Sequence, residues 1–306
     1  MKKILFGTFV ATILLVYLPQ KSFAQTTLYG GIGRGVPTNR GAVITINQAT
    51  GTGTLVGPGP GPIAGLTGLA FDISGKLYGS AINASFEPTT LVRINPVTGT
   101  QEASIGITRL ADGSPVVITD LAVQPGTDVL FGTALDPTTF FSNIYTIDKS
   151  TGIATFIGNT GVIGATLAFG PDGTLYQTIA EFDDSGAFAR GFLITLDPTT
   201  AAVLTTSDPF FLAHVGGLAV RTTDGKIFAS GGMPGDIYQL SSRGRQTLLG
   251  FTGLGGVGDI AFTPLPTDEC DCKNSGWRRF NFPYKFRNQR DCLRFVEHDR
   301  DDDDER

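Results

Sequence analysis

The segment Leu66-Thr67-Gly68-Leu69-Ala70-Phe71-Asp72 constrains the fold more than any other stretch, because near-copies of it return four times. They are Ile118-Thr119-Asp120-Leu121-Ala122-Val123-Gln124, Ala165-Thr166-Leu167-Ala168-Phe169, Gly216-Gly217-Leu218-Ala219-Val220 and Gly258-Asp259-Ile260-Ala261-Phe262. Counted through Leu69, Leu121, Leu167, Leu218 and Ile260, the spacings are 52, 46, 51 and 42 residues. That is the period of a propeller blade or a similar repeat. Each copy opens a cycle of short strands. A second strand follows a Gly-containing turn, as in Lys76-Leu77-Tyr78-Gly79 after Ser74-Gly75, where Gly supplies the positive φ of a tight hairpin. A third strand alternates, as in Ile144-Tyr145-Thr146-Ile147, and a turn led by Asn or Asp, such as Asn95-Pro96-Val97-Thr98-Gly99, delivers a fourth.

The chain ends predict how these cycles close. The N-terminal part supplies strands two, three and four of a first unit (Leu28 to Gly30, Val43 to Ile46, Thr54 to Val56), and the C-terminal part supplies a lone first strand, Asp259 to Phe262. A ring joins those ends, whereas an open solenoid needs capping units and leaves strand edges exposed. The predicted fold is all-β: a five-bladed β-propeller of four-stranded blades, closed by the last inner strand joining the N-terminal strands. With 41 Gly and 17% charged residues, the composition suits short strands and tight turns.

Four segments are expected. Residues 1–24 read as a signal peptide, with a basic Met1-Lys2-Lys3, an apolar run from Ile4 to Leu18 too short to span a membrane, and Ser22-Phe23-Ala24 as the cleavage site. The product would be secreted, periplasmic or on the cell surface, with no membrane span after cleavage. Residues 25–264 form the propeller, 265–296 a Cys-containing C-terminal element, and 297–306 an acidic, disordered tail. A net charge of −5 argues against a nucleic-acid partner. Cys270 and Cys272 are too close for an unstrained bridge with each other, so either one is expected to pair with Cys292.

The repeats resemble those of secreted bacterial propellers of NHL and gluconolactonase-like style, through Gly68-Leu69-Ala70-Phe71-Asp72, Gly75-Lys76-Leu77-Tyr78-Gly79 and Leu91 to Gly99. The resemblance covers residues 27 to 264 and implies an architecture that hosts lactonases, glycosidases, lectins and interaction modules. A second resemblance runs from Cys272-Lys273-Asn274-Ser275-Gly276-Trp277 to Phe286-Arg287-Asn288-Gln289-Arg290-Asp291-Cys292, a C-terminal element of secreted bacterial proteins. Ser275 and Arg290 stand where that element usually has Gly. It implies a Cys272–Cys292 disulfide and no known chemistry.

Long insertions, from Gly31 to Gly41, Ser80 to Thr90, Ile107 to Val117, Thr133 to Asn143, Ala180 to Gly191 and Ser207 to Val215, are expected to share one face. A ligand is expected there, at the mouth of the central channel. Asp120 and Asp259 occupy one repeat position, filled elsewhere by Gly68, Thr166 and Gly217. Gluconolactonase-like propellers hold metal ligands at such a position, so the resemblance implies a Ca²⁺ site completed by carbonyls, water or loop acids such as Asp112, Glu181 or Asp183. Equally, each Asp suits a structural role, accepting hydrogen bonds from neighbouring amides. His214, beside Phe210 and Phe211, is the one candidate general base in the body, or a packed rim residue. Arg34, Arg40, Arg109 and Arg190 could receive an anionic ligand group, or are solvated loop charges. No Asp or Glu occurs between residues 25 and 71, where five-bladed glycosidases carry one of three carboxylates.

Three readings follow. The preferred one is a secreted, non-catalytic binding or scaffold propeller for a protein, glycan or small molecule, using the long-loop face and no cofactor. The alternatives are a metal-dependent lactonase or esterase-like hydrolase at the channel mouth, and a cell-surface component attached through the C-terminal element.

Overall fold

A computed structural model describes residues 26–36, 38–60, 65–83, 88–212, 215–266 and 269–300; residues 1–24, read as the signal peptide, lie outside them. The strands assemble into five sheets of four. Blade 1 orders β20 (Val257–Phe262), β1 (Leu28–Ile32), β2 (Val43–Ile46) and β3 (Gly53–Gly57) from the axis outward. Blade 2 is β4 (Gly65–Phe71), β5 (Leu77–Ile82), β6 (Thr90–Ile94) and β7 (Gln101–Ile107). Blade 3 is β8 (Asp120–Val123), β9 (Leu130–Leu135), β10 (Ser142–Ile147) and β11 (Ala154–Asn159). Blade 4 is β12 (Ala168–Phe169), β13 (Leu175–Phe182), β14 (Phe188–Leu196) and β15 (Val203–Thr206), and blade 5 is β16 (Val215–Val220), β17 (Ile227–Gly231), β18 (Asp236–Leu240) and β19 (Gln246–Phe251). This is the five-bladed propeller that the repeat predicts. Closure runs through blade 1, where β20 pairs antiparallel with β1 in the register Leu28↔Phe262 and Gly30↔Ile260.

No single core holds the ring together. Five hydrophobic clusters lie between successive blades, for example Leu66, Leu69, Phe71, Tyr29 and Val43 between blades 1 and 2, and Ala122, Phe131, Ile144, Leu167 and Phe169 between blades 3 and 4. The alternation of each inner strand explains this: Leu69 and Phe71 face the preceding blade, Ala70 the following one. Edge-to-face ring pairs recur at the same junction position, Tyr29–Phe71 at 5.2 Å, Phe131–Phe169 at 5.0 Å and Phe228–Phe262 at 5.3 Å. Blades converge toward the axis, so the inner-strand residue facing the next blade must be small, and all five repeats carry Ala there.

Blade 4 departs from the pattern. Its inner strand shrinks to Ala168–Phe169 because Thr166 Oγ1, rather than a main-chain carbonyl, accepts the Thr178 amide at 2.9 Å. The expected Ala180–Gly191 loop is mostly sheet: β13 and β14 continue as a hairpin, with Asp183 Oδ1 accepting the Ser185 and Ala187 amides at its tip. A long insertion with alternating side chains extends its blade.

The C-terminal element has a small hydrophobic cluster of its own and packs on the propeller. Cys272 bridges Cys292 with a Cα–Cα distance of 5.6 Å, and Cys270 is free and exposed. Around the bridge, Phe280, Phe286 and Val296 form a small core joining α1 (Glu269–Cys272) and α2 (Gln289–Arg300). Because α2 continues through Arg300, the acidic stretch expected to be disordered from residue 297 starts inside a helix; residues 301–306 lie outside the described ones. Phe282 holds the element to the propeller, stacked on Phe71 at 6.1 Å and edge-on to Tyr29 at 6.4 Å. Gly75 has φ +85° and a Cβ there would lie 2.5 Å from the Phe282 carbonyl oxygen, so only glycine permits this approach. Among the described residues no helix is long and apolar enough to cross a membrane.

Candidate functional site

The two ends of the central channel differ in kind. Toward the long loops, the five equivalent inner-strand positions hold Asp259, Gly68, Asp120, Thr166 and Gly217 in ring order. Asp120 and Asp259 are completely buried. Asp120 accepts the Leu121 amide on Oδ1 at 2.6 Å and the Leu167 amide of the next blade on Oδ2 at 2.8 Å. Asp259 repeats this, taking the Ile260 amide on Oδ1 at 2.6 Å and the Leu69 amide of blade 2 on Oδ2. Each carboxyl therefore ties its own blade to the next, and the two lie close enough for the charge of Asp259 to bear on Asp120. Gly217 makes room for the pair: a Cβ at that position would stand 2.3 Å from Asp259 Oδ1.

Burial is the largest cause raising the Asp120 pKa far above the usual carboxylate range, followed by the charge of Asp259. Burial likewise raises Asp259, against the opposing hydrogen bonds from Asp120 and the Leu69, Ile260 and Leu121 amides. Burial and mutual repulsion therefore act in the same direction on Asp120, and the protonated carboxyl is favoured over the charged one in this dry site.

This donor set does not suit a hard divalent cation. Four backbone N–H groups converge on the carboxyls with their positive ends inward, and Ca²⁺ needs six to eight oxygens at roughly 2.3–2.6 Å. Among the described residues no group of three or more His, Cys, Asp or Glu gathers anywhere that could hold a metal. The structural role of the pair, as an inter-blade clasp, accounts for all four oxygens.

The other candidates do not converge. Glu181 and Arg190 sit opposite each other on the blade 4 hairpin and pair with each other at 2.7 Å, half exposed, with Arg190 over the Phe192 ring. Arg109 is exposed at the boundary of blades 2 and 3, where its carbonyl accepts the Ala154 amide at 2.7 Å. Arg34 lies in the loop after β1 on blade 1. Asp112 is exposed and closes a turn by accepting the Ser114 amide at 2.8 Å, which lowers its pKa, and Asp183 does the same at the hairpin tip. His214 lies outside the described residues.

At the opposite end, on the face of the short turns, the channel widens into a cavity of about 370 Å³. Its wall contains the five repeat alanines, Ala70, Ala122, Ala168, Ala219 and Ala261, and its rim is shared by the strand one–two turns and by Leu265, Asp271 and Phe280 of the C-terminal element. The polar lining is sparse: Gln124, Asp172, Asp271 and Thr222. The Thr222 hydroxyl is buried and has no hydrogen-bond partner among the described residues. Among the described residues no His, Cys, Ser, Lys or Arg lines it, and its side chains offer shape, apolar surface, two carboxyls and a few further hydrogen-bonding groups. Sequence reading aimed at charged residues passed over it, although its signal, an Ala constant through all five repeats, was visible.

No protein-family model matches the chain, and no curated protein matches it. Solved structures similar to it include a chain of the nidogen/laminin complex, at 14% identity with a TM-score of 0.49, covering 78% of this chain and 98% of that one. TolB from Acinetobacter baumannii is 15% identical with a TM-score of 0.48, covering 79% and 67%. A protein of unknown function from Bacteroides caccae is 11% identical with a TM-score of 0.47, covering 78% and 99%. These are likenesses of fold.

Proposed function

We propose that this chain is a secreted, non-catalytic binding propeller whose ligand enters the channel from the short-turn face, beneath the C-terminal element. The observation that carries this reading is the cavity of about 370 Å³ walled by the five repeat alanines, with an unpartnered Thr222 hydroxyl at its wall. Its volume and its few polar side chains among apolar ones match the general character of small-molecule sites, and a rotation of the Thr222 side chain, which lines the cavity with its hydroxyl turned inward, would bring that unpartnered group to a ligand. The test is a ligand-observed NMR screen of small apolar compounds carrying one or two polar groups, run on the mature protein and on Thr222→Val and Thr222→Trp. Compounds that lose affinity several-fold with Val and lose binding with Trp support the site. Compounds that bind both variants as well as the parent, or no binders at all, reject it.

A second reading, attachment to the cell surface through the C-terminal element, is favoured by a different observation. The element is stapled by its own disulfide and docked through Phe282, which leaves the outer side of α2 exposed. The hydrolase reading rests on a metal at Asp120 and Asp259, and their donor set does not favour it.

A further inference from the structure

Residues 273–294 of the C-terminal element are basic: seven of the chain's 23 Lys and Arg fall there against one acid, Asp291, with Glu269 and Asp271 before them and an acidic run from Glu297 to Glu305 after them, while the whole chain carries −5. Two of the seven are neutralised within the element: Lys273 pairs with Glu269 at 2.7 Å and Arg279 with Asp271 at 3.5 Å. Arg278 is exposed and lies over the Trp277 ring at 5.1 Å. Lys285, Arg287, Arg290 and Arg294 are exposed and have no ion pair among the described residues. Arg290 and Arg294 stand one helical turn apart and, with Gln289, Leu293 and Glu297, line a shallow concavity on the outer side of α2.

We infer that this face docks an acidic polysaccharide, the Arg side chains taking its carboxylate or sulfate groups. The inference rests on the reading of the element as an attachment module and is independent of the channel cavity. Charge complementarity carries it: four cations with no ion pair among the described residues stand on a disulfide-held surface, with little ordering left to do on binding, and guanidinium forks match planar carboxylates. A carbohydrate fits the surface better than a lipid bilayer does. Membrane-surface helices insert large apolar side chains, and here Phe280, Phe286 and Val296 are buried in the element's own core, leaving Tyr284 as its one exposed large apolar residue among those described. The half-buried Trp277 under Arg278 and the exposed Tyr284 add flat surfaces of the type that sugar rings stack on.

The experiment uses the full mature chain on immobilised polygalacturonate, with neutral dextran and phosphatidylglycerol vesicles as controls. The expected result is retention on polygalacturonate that weakens steeply with salt, little on dextran, and about a tenfold or greater loss of affinity in Arg290→Gln/Arg294→Gln with an unchanged thermal melt, because two charge-assisted contacts and their counterion release are gone. Four results would overturn the inference: equal affinity of the double variant, salt-insensitive retention, no retention at all, or vesicle binding tighter than polygalacturonate binding. Because the substituted side chains are exposed, a variant that loses both binding and its melt also counts against it, and Lys285→Gln/Arg287→Gln then serves as the second variant that must weaken binding without altering the melt.

Discussion

The two ends of the channel are built from the same repeat and yet have opposite characters. At the long-loop end, the residue before the central Leu or Ile is Gly, Asp or Thr, and two carboxyls meet there in a sealed, fully bonded clasp. Two residues further along, at the constant Ala and beyond, the strands diverge into the cavity that the C-terminal element overhangs. One end spends its polar groups on holding blades together; the other leaves a hydroxyl without a partner. The lesson is that buried acids in a propeller axis are not by themselves a catalytic signal, and that the face with the shorter turns can carry the cavity.

The largest expected effect breaks the clasp. Asp120→Ala/Asp259→Ala leaves four buried amides unsatisfied, at about 1–3 kcal/mol each, and is expected to lower the melting temperature of the whole propeller by well over about 10 °C or to prevent folding. A melt within a few degrees of the parent would show that the two carboxyls do not tie the blades. Gly217→Ala attacks the same end by volume, driving a methyl group into Asp259, and is expected to cost about 1–3 kcal/mol in denaturant unfolding.

The pH dependence sharpens the contrast next. Both carboxyl pKa values are raised in the folded state, so the native protein binds more protons than the unfolded chain once pH exceeds the unfolded value near 4. Stability from this pair is full below that pH and falls as pH rises toward the folded values. Asp120→Asn removes one of the two titrating groups, at the cost of one acceptor for the Leu121 or Leu167 amide, and is expected to lower the melt and flatten the fall; calorimetric melts at a series of pH values from 4 to 9 would refute this if parent and variant run parallel.

At the other end, Phe282→Ala removes the ring that stacks on Phe71 and faces Tyr29. Limited proteolysis within residues 269–300 is expected to quicken several-fold while the propeller melt shifts by only a few degrees; equal loss in both would mean that the element and the ring unfold as one. The smallest effect belongs to the exposed Glu181–Arg190 pair, where Arg190→Ala is expected to change stability by no more than about 0.5 kcal/mol in chemical denaturation.

The sequence was informative where geometry repeats. Strand order, blade number and closure through Asp259 to Phe262 follow from five copies of one motif and from the missing first strand at the N-terminal end. Charged residues were a poorer guide, because Glu181 and Arg190 look like two separate ligand groups until β13 and β14 place them opposite each other. Asp120 and Asp259 share a repeat position, which says that they lie in one layer around the axis and nothing about whether an ion or an amide fills their oxygens.

What the sequence by itself determined is the ring, since a period of strands and Gly turns leaves few other ways to bury the inner faces. The tertiary structure alone decided that the two acids come together in one buried site, because that depends on the radius at which five blades close and on Gly217 leaving room. It decided also that the C-terminal element, whose Cys272–Cys292 bridge its motif already implied, overhangs the cavity. Those outcomes rest on contacts between segments far apart in the chain, which local pattern does not encode: Phe282 reaches Tyr29 and Phe71 only once the ring has brought blades 1 and 2 together.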